Sequence, residues 1–239
     1  TIFLTLSEDT ATIEGSGKVG SDLWTYYKAR LSLKDYIIEI KENIQLPDDC
    51  YGMFMFFEKE INIDQNIDTS NVADMSHMFY GTKLANPDVS KWDVSNVTNM
   101  SCMFQEAITA NPDVSKWDVS KVKTMAHMFR NAVSADPDTS SWDTSNVTNM
   151  SFMFDGAVLA NPDTSNWNVS NVEMMQYMFN NATSANPDVS GWDVSNVKNM
   201  SYMFKGATIA NPDTSEWNVN NIRADCEMFE GSAYTGNPL

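Results

Sequence analysis

The feature that most constrains this chain is an uninterrupted internal repeat of 25 residues. The pair Met-Phe returns at that interval from Met53 to Phe229, and a tryptophan returns at the same interval from Trp92 to Trp217. A fixed period of this size is typical of stacked units, each of which buries its apolar face only against its neighbours. The repeat therefore predicts one continuous domain.

The apolar spacing changes part of the way along each unit. In one unit, Val89, Trp92, Val94 and Val97 recur at i, i+3, i+5 and i+8, the spacing of a leucine-rich repeat with Trp and Val in place of Leu. The next apolar residues, Met100, Met103, Phe104 and Ala107, continue from Val97 along one face of a helix. We therefore predict a strand over 92–94, a helix that ends near Gln105, and a right-handed α/β leucine-rich-repeat solenoid with methionine in its core.

The first fifty residues lie outside the repeat. Residues 1–50 contain strand-like runs at 2–6, 11–14 and 36–40, and predict a β-rich N-terminal cap with Trp24, Tyr26 and Tyr27 as packing residues. Residues 51–232 are predicted to form the solenoid, about seven units long, with 51–67 as a degenerate first unit. Residues 233–239 are predicted to be a tail, truncated from a longer protein.

The charge and the absence of certain motifs argue against several classes of function. The chain carries 15 Lys and Arg against 32 Asp and Glu, a net charge of −17, which would repel nucleic acid. No apolar run approaches the ~20 residues that span a bilayer, so membrane insertion is not expected.

The sequence lacks nucleophile-elbow, phosphate-loop and CxxC motifs. His77 and His127 lie two units apart, ~10 Å at strand spacing, too far to share a metal. We therefore expect no enzyme activity and no cofactor.

Two segments carry a resemblance to a known family. Residues 92–104 and 142–154 share the pattern W-D-[VT]-S-N-V-T-N-M-x-x-M-F and resemble the BspA-like leucine-rich-repeat surface proteins of bacteria, over about Ile67 to Ser232. The resemblance implies a curved solenoid at the cell surface, secreted or anchored to the wall, that adheres to host or neighbouring cells. It brings no catalytic motif. The chain departs from the common family pattern at Asn-Pro-Asp, so no family ligand is carried over.

The outward positions of the predicted strands form the first candidate binding surface. We name it the polar ladder and expect it on the concave side of the solenoid, where such proteins usually bind. Its members are Lys91, Asp93, Lys116, Asp118, Asp143, Asn168 and Asp193. The alternative is a solvated face whose charges only keep the sheet soluble. The net charge favours a neutral or basic partner.

Two further columns have competing interpretations. Phe152, Tyr177 and Tyr202 occupy one position of three consecutive units; this aromatic strip is either an exposed contact surface, our second candidate site, or an ordinary core edge. The Asp88 column repeats one aspartate per unit at Asp88, Asp113, Asp138, Asp163, Asp188 and Asp213. Calcium between units would offset the repulsion, but an Asx-turn, in which each Asp bonds its own backbone, is the interpretation we favour.

We therefore predict a non-enzymatic adhesion module of an extracellular bacterial surface protein, whose partner is a host or bacterial surface protein or glycan. The signal and anchor are expected to lie outside this fragment, which begins Thr1-Ile2-Phe3. A monomer is favoured. The main alternative is a structural spacer that displays another domain, because near-identical units are typical of a stalk. A glycan hydrolase would need a paired acid and base in a cleft, which the open aspartate columns do not provide.

Overall fold

The computed structural model describes residues 2–19, 33–41 and 43–236. Six strands are present in that part of the chain: β1 (Ile2–Leu6), β2 (Thr10–Gly15), β3 (Gly17–Lys18), β4 (Ile37–Ile40), β5 (Ile44–Gln45) and β6 (Ile61–Ile63). The strand-like runs at 2–6, 11–14 and 36–40 correspond to β1, β2 and β4. The predicted packing residues Trp24, Tyr26 and Tyr27 lie outside the described residues.

The N-terminal strands form one four-stranded sheet and one two-stranded sheet. The larger sheet has the order β1-β2-β4-β6, with β1 antiparallel to β2 and the other neighbours parallel; the smaller pairs β3 with β5 in parallel. Alternating side chains face the core, as in β4, where Ile38 and Ile40 are buried. Gln45 then forms a parallel bridge with Asp68, so the sheet leads directly into the repeats.

The repeats stack as consecutive 25-residue turns of the chain, each of which we call a coil. One residue per coil forms an isolated parallel bridge to the next coil, along the series Asp49, Asp74, Asn99, Thr124, Asn149, Met174, Asn199 and Ala224. The N–H of Met100, for example, donates to the carbonyl of Thr124 at 3.1 Å. Backbone hydrogen bonds therefore join each coil to the next along the stack.

The predicted leucine-rich-repeat solenoid, with one short strand and one short helix per unit, is wrong. From residue 43 to residue 236 the structure contains no helix, and residues 92–94 are not a strand. Over residues 100–107, hydrogen bonds from i to i−3 alternate with bonds to the next coil: Met103 donates to Met100, and Phe104 donates to Met128. The backbone at Cys102 has a φ of 58°, which lies outside the range of a right-handed helix.

The apolar spacing resembled that of a helix because successive tight turns also bring every third or fourth side chain to one side. That side is the core, where Met100, Met103, Phe104 and Ala107 are fully buried. The buried phenylalanines stack from coil to coil, with ring centroids 5.3 Å apart for Phe79 and Phe104. One buried apolar cluster extends from Ala11 to Met228, so the coils and the N-terminal sheets share a core.

Two residues cover part of the last coil. Tyr234 stacks on Phe229 with ring centroids 3.7 Å apart, in the place that the phenylalanine of a further coil would take. Thr235 donates its N–H to the side chain of Asn211 at 3.1 Å. This bond continues a series, in which Asn211 in turn donates its N–H to the side chain of Asn186 in the preceding coil. Asp225, which replaces the core methionine, is exposed.

Candidate functional site

The polar ladder is exposed along its whole length, but its Asp and Asn side chains serve the backbone of their own coil. Oδ1 of Asp93 accepts the N–H of Ser95 at 3.0 Å, and Oδ1 of Asn168 accepts the N–H of Ser170 at 3.1 Å. Asp118, Asp143 and Asp193 make the same bond. These are Asx-turns, which bend the chain at a corner of each coil. The ladder therefore follows a row of corners rather than a row of strands.

The lysines of the polar ladder do not pair with its aspartates. Lys91 and Lys116 are exposed, and no carboxylate of the described residues lies within salt-bridge distance of either ammonium. Instead, Lys91 adds to the effects that lower the pKa of Asp88, after the hydrogen bonds from Ser90, and Lys116 does the same for Asp113. The charges of these lysines therefore act on the Asp88 column rather than on the aspartates of the polar ladder.

The Asp88 column forms a second row of Asx-turns. Oδ1 of Asp88 accepts both the N–H and the hydroxyl of Ser90, at 3.1 and 2.6 Å. Asp113, Asp138, Asp163 and Asp188 repeat this pair of bonds, and Asp213 accepts the N–H of Ser215 at 3.0 Å. These bonds lower the pKa of the carboxyl groups, so the column stays ionised at neutral pH. Within the described ranges, no group of three His, Cys, Asp or Glu side chains could hold a metal ion.

The aromatic strip is a continuous ring stack on the surface. Phe152 and Tyr177 lie 4.6 Å apart between ring centroids, with planes 8° apart, and Tyr177 and Tyr202 are also 4.6 Å apart. His127 extends the stack by one ring, 4.6 Å from Phe152. All four side chains are partly exposed. The rings cover one another's faces, so what they present to solvent is a row of edges.

The backbone beneath the strip is in the left-handed region. The φ values of Phe152, Tyr177 and Tyr202 are 59°, 59° and 63°. This conformation costs a non-glycine residue ~1–2 kcal/mol, and Gly or Asn would adopt it more easily. The neighbouring left-handed column uses mostly those two residues, as at Asn131 and Gly156. The strip instead retains aromatic residues, and each stacked pair offsets about 0.5–1.5 kcal/mol of the strain.

A polar network that the sequence analysis missed lies beside the strip. Nε of Arg130 donates to Oδ2 of Asp155 at 2.9 Å, and Nδ2 of Asn180 donates to Oδ1 of the same carboxylate at 2.8 Å. Asp155 is only 7% exposed, whereas the side chain of Arg130 is 35% exposed. The guanidinium carbon lies 5.2 Å from the ring centroid of Phe152. The network joins three consecutive coils.

The far end of the strip carries a second cation. The Lys205 ammonium lies 5.3 Å from the ring centroid of Tyr202 and 2.7 Å from a carboxylate oxygen of Glu230, and it also bonds Glu227. Glu227 occupies the position that a ring would take in the next coil. Its charge is the main cause that raises the pKa of Tyr202. The ring stack therefore ends at an ion-paired group.

Buried polar atoms without partners lie close to the strip. Nδ1 of His77, Nδ1 of His127 and Oε1 of Gln176 have no hydrogen-bond partner among the described residues. Burial lowers the pKa of both histidines, so both are neutral at pH 7. The three cysteines are free thiols: Cys50 is buried, Cys102 is half-buried and Cys226 is exposed.

The structure thus brings the aromatic strip together with Arg130, Asp155 and Lys205, whereas the aspartates and the asparagine of the polar ladder form a row of Asx-turns. A signal for the missed network was present in the sequence. The position of Arg130 is the most variable of the repeat, with Tyr80, Gln105, Arg130, Asp155, Asn180, Lys205 and Glu230 in successive coils. Opposite charges exactly one period apart at Arg130 and Asp155 indicate an ion pair between adjacent coils.

Comparison with known proteins identifies a family over the repeats. The sequence matches the family model described as "Mycoplasma protein of unknown function, DUF285" over residues 48–157 and again over residues 132–238. The two matches overlap and together cover most of the chain. No curated protein and no solved structure matches the sequence. In the part of the chain that the structure describes, no helix is long and apolar enough to cross a membrane.

Proposed function

We propose that this chain, which belongs to the DUF285 family, is a non-enzymatic adhesion module of a bacterial cell-surface protein. It contacts a protein or glycan of a host or neighbouring cell through the side of its coil stack. The pattern at residues 92–104 and 142–154 supports assignment to the BspA-like surface proteins within this repeat family, and with it an extracellular location.

One observation carries the proposal: the aromatic strip is a partly exposed departure from the repeat, confined to three consecutive coils. The stack does not require rings at this position, because Cys102 and Glu227 occupy the same place in other coils with the same left-handed backbone. Strained backbone and exposed aromatic residues are typical of binding surfaces. A stalk does not need rings at this position, because the coils of Cys102 and Glu227 keep the same backbone without them.

The spacer alternative has one specific observation in its favour. The Asp and Asn side chains of the polar ladder, which were the first candidate contacts, each bond the backbone of their own coil. Their repetition is explained by the need to bend the chain at every corner. The polar ladder is therefore equally consistent with a stalk and with a binding face. The aromatic strip is the feature that favours binding over the spacer function.

An array of mucins, matrix proteins and glycans, probed at low and physiological salt, tests the proposal. One variant replaces Phe152, Tyr177 and Tyr202 together by Asn, which tolerates the left-handed backbone. The matched control replaces Asp93, Asp118 and Asp143 by Asn, which removes three charges and keeps the Asx-turns. We expect the wild-type chain to bind a subset of targets and the strip variant to lose them. Binding to no target in any condition would favour the spacer.

A further inference from the structure

We propose that Arg130, with the exposed edges of Phe152 and Tyr177, is the docking point for an acidic segment of a protein partner. This inference rests on the proposed binding function and specifies its site and its partner class. Three observations carry it: the way in which Arg130 is held, the parts of the rings that remain exposed, and the sign of the charge at the surface between them.

Arg130 is fixed in place while its donors remain available. Its Nε is bonded to Asp155, and within the described residues no other hydrogen bond is made by the guanidinium. Asp155 cannot move away to release it, because the carboxylate is buried and its second oxygen is bonded to Asn180. Both terminal amino groups of Arg130 are thus free to donate. A guanidinium held in this way can form two parallel bonds to one carboxylate with little loss of side-chain entropy.

The rings beside Arg130 favour a protein over a sugar. Apolar contacts with sugars need an open aromatic face, and Phe152 has none, because His127 and Tyr177 each lie 4.6 Å from it on opposite sides. The edges that remain carry the positive end of the ring quadrupole. Such edges attract carboxylate and carbonyl oxygens, and rigid Tyr and Arg side chains are the residues that dominate protein interfaces.

The charge at this surface differs in sign from that of the whole chain. The net charge of −17 alone favours a basic partner, but Arg130 presents a guanidinium beside the ring edges, and the carboxylate that it bonds is buried beneath them. The partly exposed Glu106, whose N–H donates to the Arg130 carbonyl, lies on the coil before Arg130, whereas Phe152 and Tyr177 lie on the coils after it. Charges more than ~8 Å away are screened at physiological salt, so the local groups decide short-range recognition. We therefore expect specific but slow association with an acidic segment, because long-range steering opposes the encounter.

The test uses an array of immobilised 12-residue peptides in which Asp and Glu, Lys and Arg, or only neutral residues flank a central Phe or Leu. Sialylated and sulfated glycans are placed on the same surface. The full chain is compared with Arg130→Lys, which retains the charge opposite Asp155 but loses the planar fork, and with Arg130→Gln. Arg223→Lys, at an exposed arginine of the last coil, is the matched control. Melting temperatures establish that each variant is folded.

We expect the wild type to select acidic peptides, Arg130→Lys to weaken that binding about tenfold, Arg130→Gln to weaken it further, and Arg223→Lys to leave it unchanged. Acidic-peptide binding that survives in both Arg130 variants would overturn the inference. Binding only to glycans or only to basic peptides would also overturn it, while leaving the proposed binding function in place. Binding to nothing on the surface would count against both.

Discussion

The indole Nε1 of Trp142 donates a hydrogen bond to the backbone carbonyl of Val114, 3.1 Å away in the preceding coil. The same bond, to the residue 28 positions earlier, is made by Trp117, Trp167, Trp192 and Trp217. Trp92 differs, because its Nε1 is buried and has no hydrogen-bond partner within the described part of the chain. The tryptophan column therefore ties each coil to its predecessor through a polar bond inside an apolar core.

This difference predicts unequal effects of the same substitution at two positions. Trp142→Phe removes one of the two donors to the Val114 carbonyl, which keeps the N–H of Trp117, whereas Trp92→Phe removes a donor that has no partner among the described residues. Both variants lose similar apolar volume, so we expect Trp142→Phe to be less stable than Trp92→Phe by about 0.5–1.5 kcal/mol, the net contribution of one hydrogen bond. Urea denaturation followed by tryptophan fluorescence measures the difference, and equal midpoints for the two variants would contradict the role of the bond.

The Asx-turns of the polar ladder predict that the stability of the fold depends on the side-chain oxygen at each corner and not on its charge. Asp143→Ala removes the acceptor for the N–H of Ser145 and should cost about 0.5–1.5 kcal/mol in the free energy of unfolding. Asp143→Asn should be close to neutral, because Asn168 makes the same bond one coil later. Thermal denaturation of the two variants checks this, and an Asn variant as unstable as the Ala variant would show that the charge is what stabilises the corner.

The histidines predict a loss of stability between pH 7 and pH 5. Burial lowers the pKa of His127 and of His77 below the ordinary value of 6.5. Below that pH the unfolded chain takes up protons that the folded chain resists, so the contribution to stability is complete above pH 6.5 and is lost as the pH falls through the folded-state pKa.

His127→Phe should reduce this loss, since phenylalanine can continue the stack on Phe152 and does not titrate. The double variant with His77→Phe should reduce it further. Melting temperatures at pH 7 and pH 5 give the comparison with the wild type. A wild-type decline that both variants reproduce in full would assign it to other groups.

The left-handed column predicts opposite effects of asparagine at two of its positions. Cys102 has a φ of 58° and carries no ring, so no stacking is lost on substitution and Cys102→Asn should stabilise the chain by up to ~1 kcal/mol. Tyr177 stacks on two rings, so Tyr177→Asn should be destabilising despite the easier backbone. Chemical denaturation distinguishes the two, and a shift of the same sign in both variants would contradict the compensation between strain and stacking.

The three thiols should react at separate rates with a thiol reagent at pH 8. Cys226 is exposed and should react first. Burial raises the pKa of Cys102 to about 11, so little thiolate is present and its reaction should be slow. Burial also raises the pKa of Cys50, which should react only after unfolding. Single-cysteine variants followed by mass spectrometry assign the rates, and simultaneous modification of all three would contradict the burial of Cys50.

The sequence predicted the core better than it predicted the fold. The period placed the Met and Phe columns inside, and Met100, Met103 and Phe104 are fully buried. The helix expected from the same residues is wrong, because a spacing of three to four residues describes both a helix and a run of tight turns. Only the hydrogen bonds distinguish them. The N–H of Phe104 goes to Met128 in the next coil rather than to a residue within its own segment.

The candidate site likewise combines features that the sequence predicted with features that only the structure shows. The sequence by itself determined that Phe152, Tyr177 and Tyr202 share one position, and that one aspartate recurs at each corner, because a strict period transfers every position from one unit to the next. Tertiary structure alone decided that the rings stack face to face at 4.6 Å and that Arg130 is held by a buried Asp155. Those outcomes depend on how far apart the coils lie and where the backbone directs each side chain, which a one-dimensional pattern does not contain.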